Sequence, residues 1–190
     1  KDLFNLFKLK GEVFNVPFSL DYKKEFGLLK NEIVSIIAKS LKLNILSTHD
    51  NKKNNLSSGS NTISFLKSKF NTDYTIEDGI ITFKSSNPKI VKNKVNYNGE
   101  ILINPFTVDL KVDLGKIKMS KMLDLSPVLL ELIKSRLLFN ENITVNTEIM
   151  MDSSTNREIF QSARVNLNFV NGSINFDKTK LFNKKIGSLE

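Results

Sequence analysis

Side chains able to do covalent chemistry are few in this 190-residue chain, and their spacing builds no catalytic pattern. The single histidine, His49, stands beside Asp50 in a polar stretch, so no second imidazole can complete a zinc cluster or pair with a nucleophile. It reads as a solvated loop residue. Cysteine is absent, which removes thiolate metal sites, cysteine nucleophiles and disulfide frameworks together. No glycine-rich turn follows a strand and opens a helix, so there is no phosphate cradle. Asp73, Glu77, Asp109 and Asp113 alternate along strand-like segments, where a wet, solubilising face explains them better than an acid and base pair. Three Asn-x-Ser/Thr triplets, at Asn55, Asn142 and Asn171, carry no weight in so asparagine-rich a chain. The expectation is a protein that is not an enzyme and uses no metal or cofactor.

What remains is apolar surface, and its spacing is period two. Phe14, Val16, Phe18, Leu20 and Tyr22 fall on one face of a strand-like run, and Leu102, Phe106, Val108, Leu110, Val112 and Leu114 on one face of another. Phe70 to Ile76, Ile143 to Met151 and Val165 to Phe169 alternate in the same way. Strands with one apolar and one wet face belong to antiparallel sheet. Further strands are expected near Glu32 to Ala38, Leu41 to Leu46 and Thr62 to Leu66. Asp78-Gly79, Asn98-Gly99 and Asn171-Gly172 supply tight-turn dipeptides. The predicted fold is mostly β, a long, curved antiparallel meander with one short amphipathic helix. That helix is placed at about 127–138, with Ser126 as N-cap, Pro127 at the first position, and Leu129, Leu130, Ile133 and Leu137 at helical spacing. Its plain role is to plug an open end or cover an edge of the sheet. The Asn-, Ser- and Lys-rich stretch at 48–61 reads as a mobile loop.

An internal echo supports repetition. Gly11-Glu12-Val13-Phe14-Asn15-Val16-Pro17-Phe18-Ser19-Leu20-Asp21 aligns without a gap with Gly99-Glu100-Ile101-Leu102-Ile103-Asn104-Pro105-Phe106-Thr107-Val108-Asp109, giving a repeat at about 11–22 and 99–110. Asp78 to Phe83 and Asn171 to Phe176 form a weaker second echo. Pro17 and Pro105 fall inside the alternating runs, where a residue that cannot donate to a ladder marks an edge, bulge or bend. A bend repeated in every long strand curves the sheet into an open groove with an apolar lining. Lining candidates are Phe14, Val16, Phe18, Leu20, Leu102, Phe106, Val108, Leu110, Val145, Val165, Leu167 and Phe169. The alternative is that these faces pack on each other in a dry, closed core.

Composition narrows the partners. The net charge of +8 permits an anionic surface or nucleic acid, but 25 of the 28 basic residues are lysine; only Arg136, Arg157 and Arg164 offer guanidinium forks. The aromatics follow the apolar strand faces and do not interleave with a basic stripe, so a nucleic-acid partner is not expected. No apolar run reaches the roughly 18 to 20 residues of a spanning helix. The start at Lys1, directly in a strand-like pattern without a signal region, reads as a fragment of a larger repetitive β domain.

At the two Gly-Glu-x-x-x-x-Pro-Phe-[Ser/Thr]-x-Asp segments, at Leu138-Phe139-Asn140-Glu141-Asn142-Ile143, and at Asn171-Gly172-Ser173-Ile174-Asn175-Phe176-Asp177 with the following Leu181 to Leu189 hairpin, the sequence resembles the C-terminal portion of AsmA-like proteins. That family includes the bridge-like proteins of the TamB and YhdP type. The resemblance covers most of the chain through diffuse motifs. It implies a periplasmic body anchored to the inner membrane by a segment outside this chain. Its sheet would offer a hydrophobic groove to phospholipid acyl chains moving to the outer membrane, with envelope proteins as partners. A non-catalytic scaffold for outer-membrane biogenesis, or a surface β-repeat with a dry core, is the alternative.

Overall fold

The computed structural model describes residues 3–26, 32–51, 56–86, 95–118, 126–155 and 157–190. The fold is mostly β, and the chain divides into two units, residues 1–86 and 87–190.

In the first unit β1 (Leu3–Val13), β2 (Val16–Phe26), β3 (Glu32–Ala38), β4 (Leu43–Asn51), β5 (Ser57–Phe65), β6 (Ser68–Glu77) and β7 (Ile80–Ser85) form an antiparallel meander in chain order. Asp78-Gly79 makes the expected tight turn, with φ of 48° and 80°. Phe14-Asn15 makes another, with φ of 50° and 63°. Both turns are left-handed at their two central positions, the geometry whose twist matches the flanking strands. A 3₁₀ turn, Lys39–Leu41, and Lys42 at φ 51° join β3 to β4.

The loop expected over 48–61 is corrected: β4 runs to Asn51 and β5 starts at Ser57, leaving only residues 52–55 outside the described structure. Over residues 47–51 and 57–62 these strands are polar on both faces, so that part carries no period-two signal. They are held by ladder bonds and by cross-strand pairs such as Thr48 Oγ1 with Ser60 Oγ at 2.9 Å. His49 accordingly lies in β4, not in a solvated loop.

The second unit contains β8 (Asn96–Leu102), β9 (Thr107–Ile117), α1 (Ser126–Lys134), β10 (Thr144–Ser153), β11 (Ser162–Val170), β12 (Ser173–Asn175), β13 (Lys180–Asn183) and β14 (Gly187–Leu189). Most pairs are antiparallel, but β9 and β10 are parallel. A parallel pair needs a crossover, and α1 lies in it. The helix also ends earlier than expected. Ser135 Oγ donates to the Leu132 carbonyl at 2.7 Å and accepts from the Leu137 amide, and Arg136 turns left-handed at φ 59°. Leu137–Phe139 then continue as a 3₁₀ turn.

Asn171-Gly172 forms the expected tight turn between β11 and β12. Asn98-Gly99 does not reverse the chain: Asn98 pairs with Lys111 and Gly99 with Leu110 inside the β8–β9 ladder. Reversal comes at residues 103–106, which include a cis Asn104-Pro105 bond. Both halves of the eleven-residue echo are thus hairpins, with a two-residue turn in one and a four-residue turn in the other. Pro105 lies in a turn and not in a bent strand, while Pro17 sits opposite Glu12 in the ladder.

At Gly115 the alternation is re-phased. Met151 faces two residues, Leu114 and Gly115, because the register slips between Met150↔Asp113 and Asp152↔Lys116. Gly115 takes φ 60°, a conformation costly for a residue with a side chain. The bulge brings Leu114 and Ile117, three residues apart, into one cluster with Met151 and Ala163.

Candidate functional site

Register fixes which side chains share a face, since residues paired across a ladder point the same way and neighbours in sequence point oppositely. In the first unit, Leu9, Leu20, Ile36, Ile45, Ile63 and Phe70 form one unbroken cross-strand row over six strands. At about 4.8 Å per strand the row is about 24 Å long. Ala38, Leu43 and Phe65 form a parallel row on its left in the ladder, with Phe18 and Gly11 paired further along the same face. On the other side run two polar rows: Ser47, Asn61 and Thr72, and then Lys24, Glu32, His49, Gly59 and Tyr74.

Among the described residues of this unit, the five buried strand residues, Val16, Glu32, Ala38, Thr72 and Tyr74, lie on this one face. The only described element of the unit other than strands is the 3₁₀ turn, whose buried Leu41 packs beside β2 and β4. Burial of the described strand residues is thus confined to one side of this sheet. Yet the apolar row itself stays partly open: Leu20, Ile36, Ile45, Ile63 and Phe70 are half-buried and Leu9 is 43% exposed. The opposite face carries Lys8, Lys10, Asp21, Lys23, Lys69, Asp73 and Glu77, with Leu6, Ile33, Ile37 and Leu46 scattered among them.

The polar rows are internally bonded. Tyr74 OH lies 2.9 Å from Ser47 Oγ and 3.1 Å from His49 Nδ1, and its ring stacks on the imidazole at 6.1 Å between centroids. Gly59 is obligatory beneath it, because a Cβ there would stand 2.2 Å from the Thr48 carbonyl oxygen. Asn61 Oδ1 is buried with no hydrogen-bond partner. Lys24 donates to the Glu32 carboxylate, which holds the ammonium above its usual range. Burial, and then the Glu32 charge, push the Tyr22 hydroxyl up as well.

In the second unit Val108, Val145 and Phe169 form one cross-strand row, Leu110, Thr147 and Leu167 the next, and Val112, Ile149 and Val165 a third. The buried strand residues Leu114, Met151, Ala163 and Phe169 all share that face. The opposite face is wet, with Asn146 Nδ2 donating to Asp109 Oδ1 at 2.7 Å and Arg164 paired with Glu148 at 3.0 Å.

Nine of the twelve lining candidates therefore lie on the apolar faces: Val16, Phe18 and Leu20 in the first unit, and Val108, Leu110, Val145, Val165, Leu167 and Phe169 in the second. Three do not. Phe14 occupies the β1–β2 turn and Phe106 the β8–β9 turn, while Leu102 pairs with Thr107 on the wet face. Each hairpin has the pattern of one continuous alternating strand, and a reversal inside the run breaks the parity. Sequence reasoning missed the polar rows, because Ser47, His49, Asn61 and Tyr74 come together only through the β4–β5–β6 register. The one available signal was Tyr74, a large aromatic on the apolar side of an alternating strand.

Among the described residues no helix is long and apolar enough to cross a membrane, and no three His, Asp or Glu side chains converge on a metal site. Compared with family models, curated proteins and solved structures, the chain returns no match.

Proposed function

We propose that the chain is a non-catalytic, lipid-holding module of an AsmA-like envelope protein, whose apolar sheet faces receive phospholipid acyl chains in the periplasm between inner and outer membrane. The observation that carries the reading is the six-strand row in the first unit, which is apolar throughout and half-open. A row about 24 Å long exceeds one leaflet's share of a roughly 30 Å hydrocarbon core, so it can take an acyl chain laid across the strands. Each methylene removed from water contributes about 0.8 kcal/mol. The role is solvation, with no bond made or broken.

A closed scaffold is the second reading, and the Leu114–Met151–Ala163 cluster favours it for the second unit, because those side chains are already buried by their own neighbours. Native mass spectrometry with lipid extraction separates the two. Chain purified from a bacterial envelope carries phospholipid on the first reading, and is folded and lipid-free on the second.

A further inference from the structure

The face that bears the apolar row of the first unit is chemically two-sided. Beside Ile36, Ile45, Ile63 and Phe70 runs the row Ser47–Asn61–Thr72, and beside that the row Glu32–His49–Gly59–Tyr74. A surface that served only to exclude water would gain nothing from placing half-buried polar groups along its length, since each costs free energy unless bonded. Most of these groups are bonded to one another. Ser47, His49 and Tyr74 form a single cluster through the Tyr74 hydroxyl, and Glu32 is matched by Lys24. Asn61 Oδ1, between Ser47 and Thr72 in the ladder, is the exception: it is buried and has no partner.

The valences define what would complete the cluster. A tyrosine hydroxyl has one proton. Its acceptors are the Thr48 carbonyl at 3.5 Å and His49 Nδ1 at 3.1 Å; when the proton goes to the shorter contact, His49 Nδ1, Ser47 Oγ donates to Tyr74 and the second imidazole nitrogen carries a proton. Asn61 Oδ1 requires a donor. A single uncharged group able to donate to Asn61 Oδ1 and accept from the imidazole is an alcohol hydroxyl. A bare phosphate would need a cation, and Lys24, in the same ladder row as His49 and Tyr74, is already paired with Glu32.

We propose that Ser47, His49, Asn61 and Tyr74 form a headgroup station for the glycerol hydroxyls of a phospholipid whose acyl chain lies on the adjoining Leu20–Ile36–Ile45–Ile63–Phe70 row. The inference rests on the lipid-holding reading and adds the chemistry of the polar end.

The test compares uptake of phosphatidylglycerol and phosphatidylmethanol with identical acyl chains, presented as vesicles to the full chain and read by native mass spectrometry. The two lipids carry the same charge, so the protein's net charge of +8 cannot discriminate them; only the first has hydroxyls. Two hydrogen bonds of about 0.7 kcal/mol each correspond to a preference of about tenfold for phosphatidylglycerol. Asn61→Leu removes the acceptor without leaving a buried polar atom, and His49→Phe keeps a ring against Tyr74 while removing the donor. Each removes one of the two bonds and should cut the preference to about threefold while total loading of phosphatidylmethanol is retained, with thermal melts confirming that both variants fold. Equal loading of the two lipids by the unaltered chain overturns the headgroup station and leaves the acyl-chain reading standing. A tenfold preference undiminished in both folded variants also overturns it. Failure of the folded, unaltered chain to load either lipid removes the lipid-holding reading, and the station with it.

Discussion

Replacing Gly59 with alanine tests the register and the polar cluster together. Gly59 is not in a left-handed conformation, so alanine in its place would ordinarily help a strand by about 0.5 to 1 kcal/mol. Here the added Cβ would stand 2.2 Å from the Thr48 carbonyl oxygen, 2.5 Å from Tyr74 OH and 2.7 Å from Tyr74 Cζ. The tyrosine can swing away only by giving up its bonds to Ser47 and His49, about 1 kcal/mol each. The Thr48 carbonyl is backbone and can move only with the β4–β5 ladder, an overpacking cost of about 1 to 3 kcal/mol. After subtracting the strand benefit, a net destabilisation of about 2 to 4 kcal/mol is expected, read by urea denaturation followed by far-UV circular dichroism. In a Tyr74→Ala background the penalty should shrink but persist, because the clash with Thr48 remains. Gly59→Ala at or above parental stability would refute the pairing of His49 with Gly59 and the placement of Tyr74 over it.

The alkaline limb of stability is a second expectation. Lys24 is held above 10.5 by its bond to Glu32, so its contribution is complete below that value and is lost as pH rises through the raised one; Tyr22, held above 10.0 by burial and by Glu32, resists ionisation and works against the fold in the same range. The stability gap between the parent and Glu32→Gln should therefore be flat across the mildly alkaline range and shrink above about pH 10; a gap that widens there contradicts the assignment. Asn15→Gly, at the second left-handed position of the β1–β2 turn with φ 63°, should raise stability by about 0.5 kcal/mol in a thermal melt, since Gly is favoured in that position. Val108→Asp, on the apolar face of the second unit, should cost more than about 3 kcal/mol, and Lys111→Gln, on the exposed face, less than about 0.5 kcal/mol. Equal costs in denaturant melts would invert the face assignment.

Where one face is apolar and the other charged, the sequence was legible. The alternation at Val108, Leu110 and Val112 and at Val145, Ile149 and Val165 reads through to shared faces. Legibility failed where local chemistry is silent about parity. Phe14 turns left-handed although a bulky aromatic disfavours it, so an eleven-residue alternating run conceals a hairpin. Asn98-Gly99 has the composition of a tight turn, but ladder pairing with Lys111 and Leu110 holds it extended. β4 and β5 carry serine, threonine and asparagine on both faces, which looks like a loop until cross-strand bonds are counted. The polar cluster of Ser47, His49, Asn61 and Tyr74 spans 28 residues of sequence in three strands and is created by register alone.

The most direct test of the lipid-holding reading is site-specific photocrosslinking in the envelope, with a benzophenone amino acid placed at Ile45, in the centre of the apolar row, and for comparison at Asn44, its neighbour on the opposite face. Both positions share one strand and one local stability, so misfolding affects them alike. The account predicts phospholipid adducts by mass spectrometry from Ile45 and none from Asn44. Adducts absent from both in a folded chain, or equal at the two positions, would contradict it.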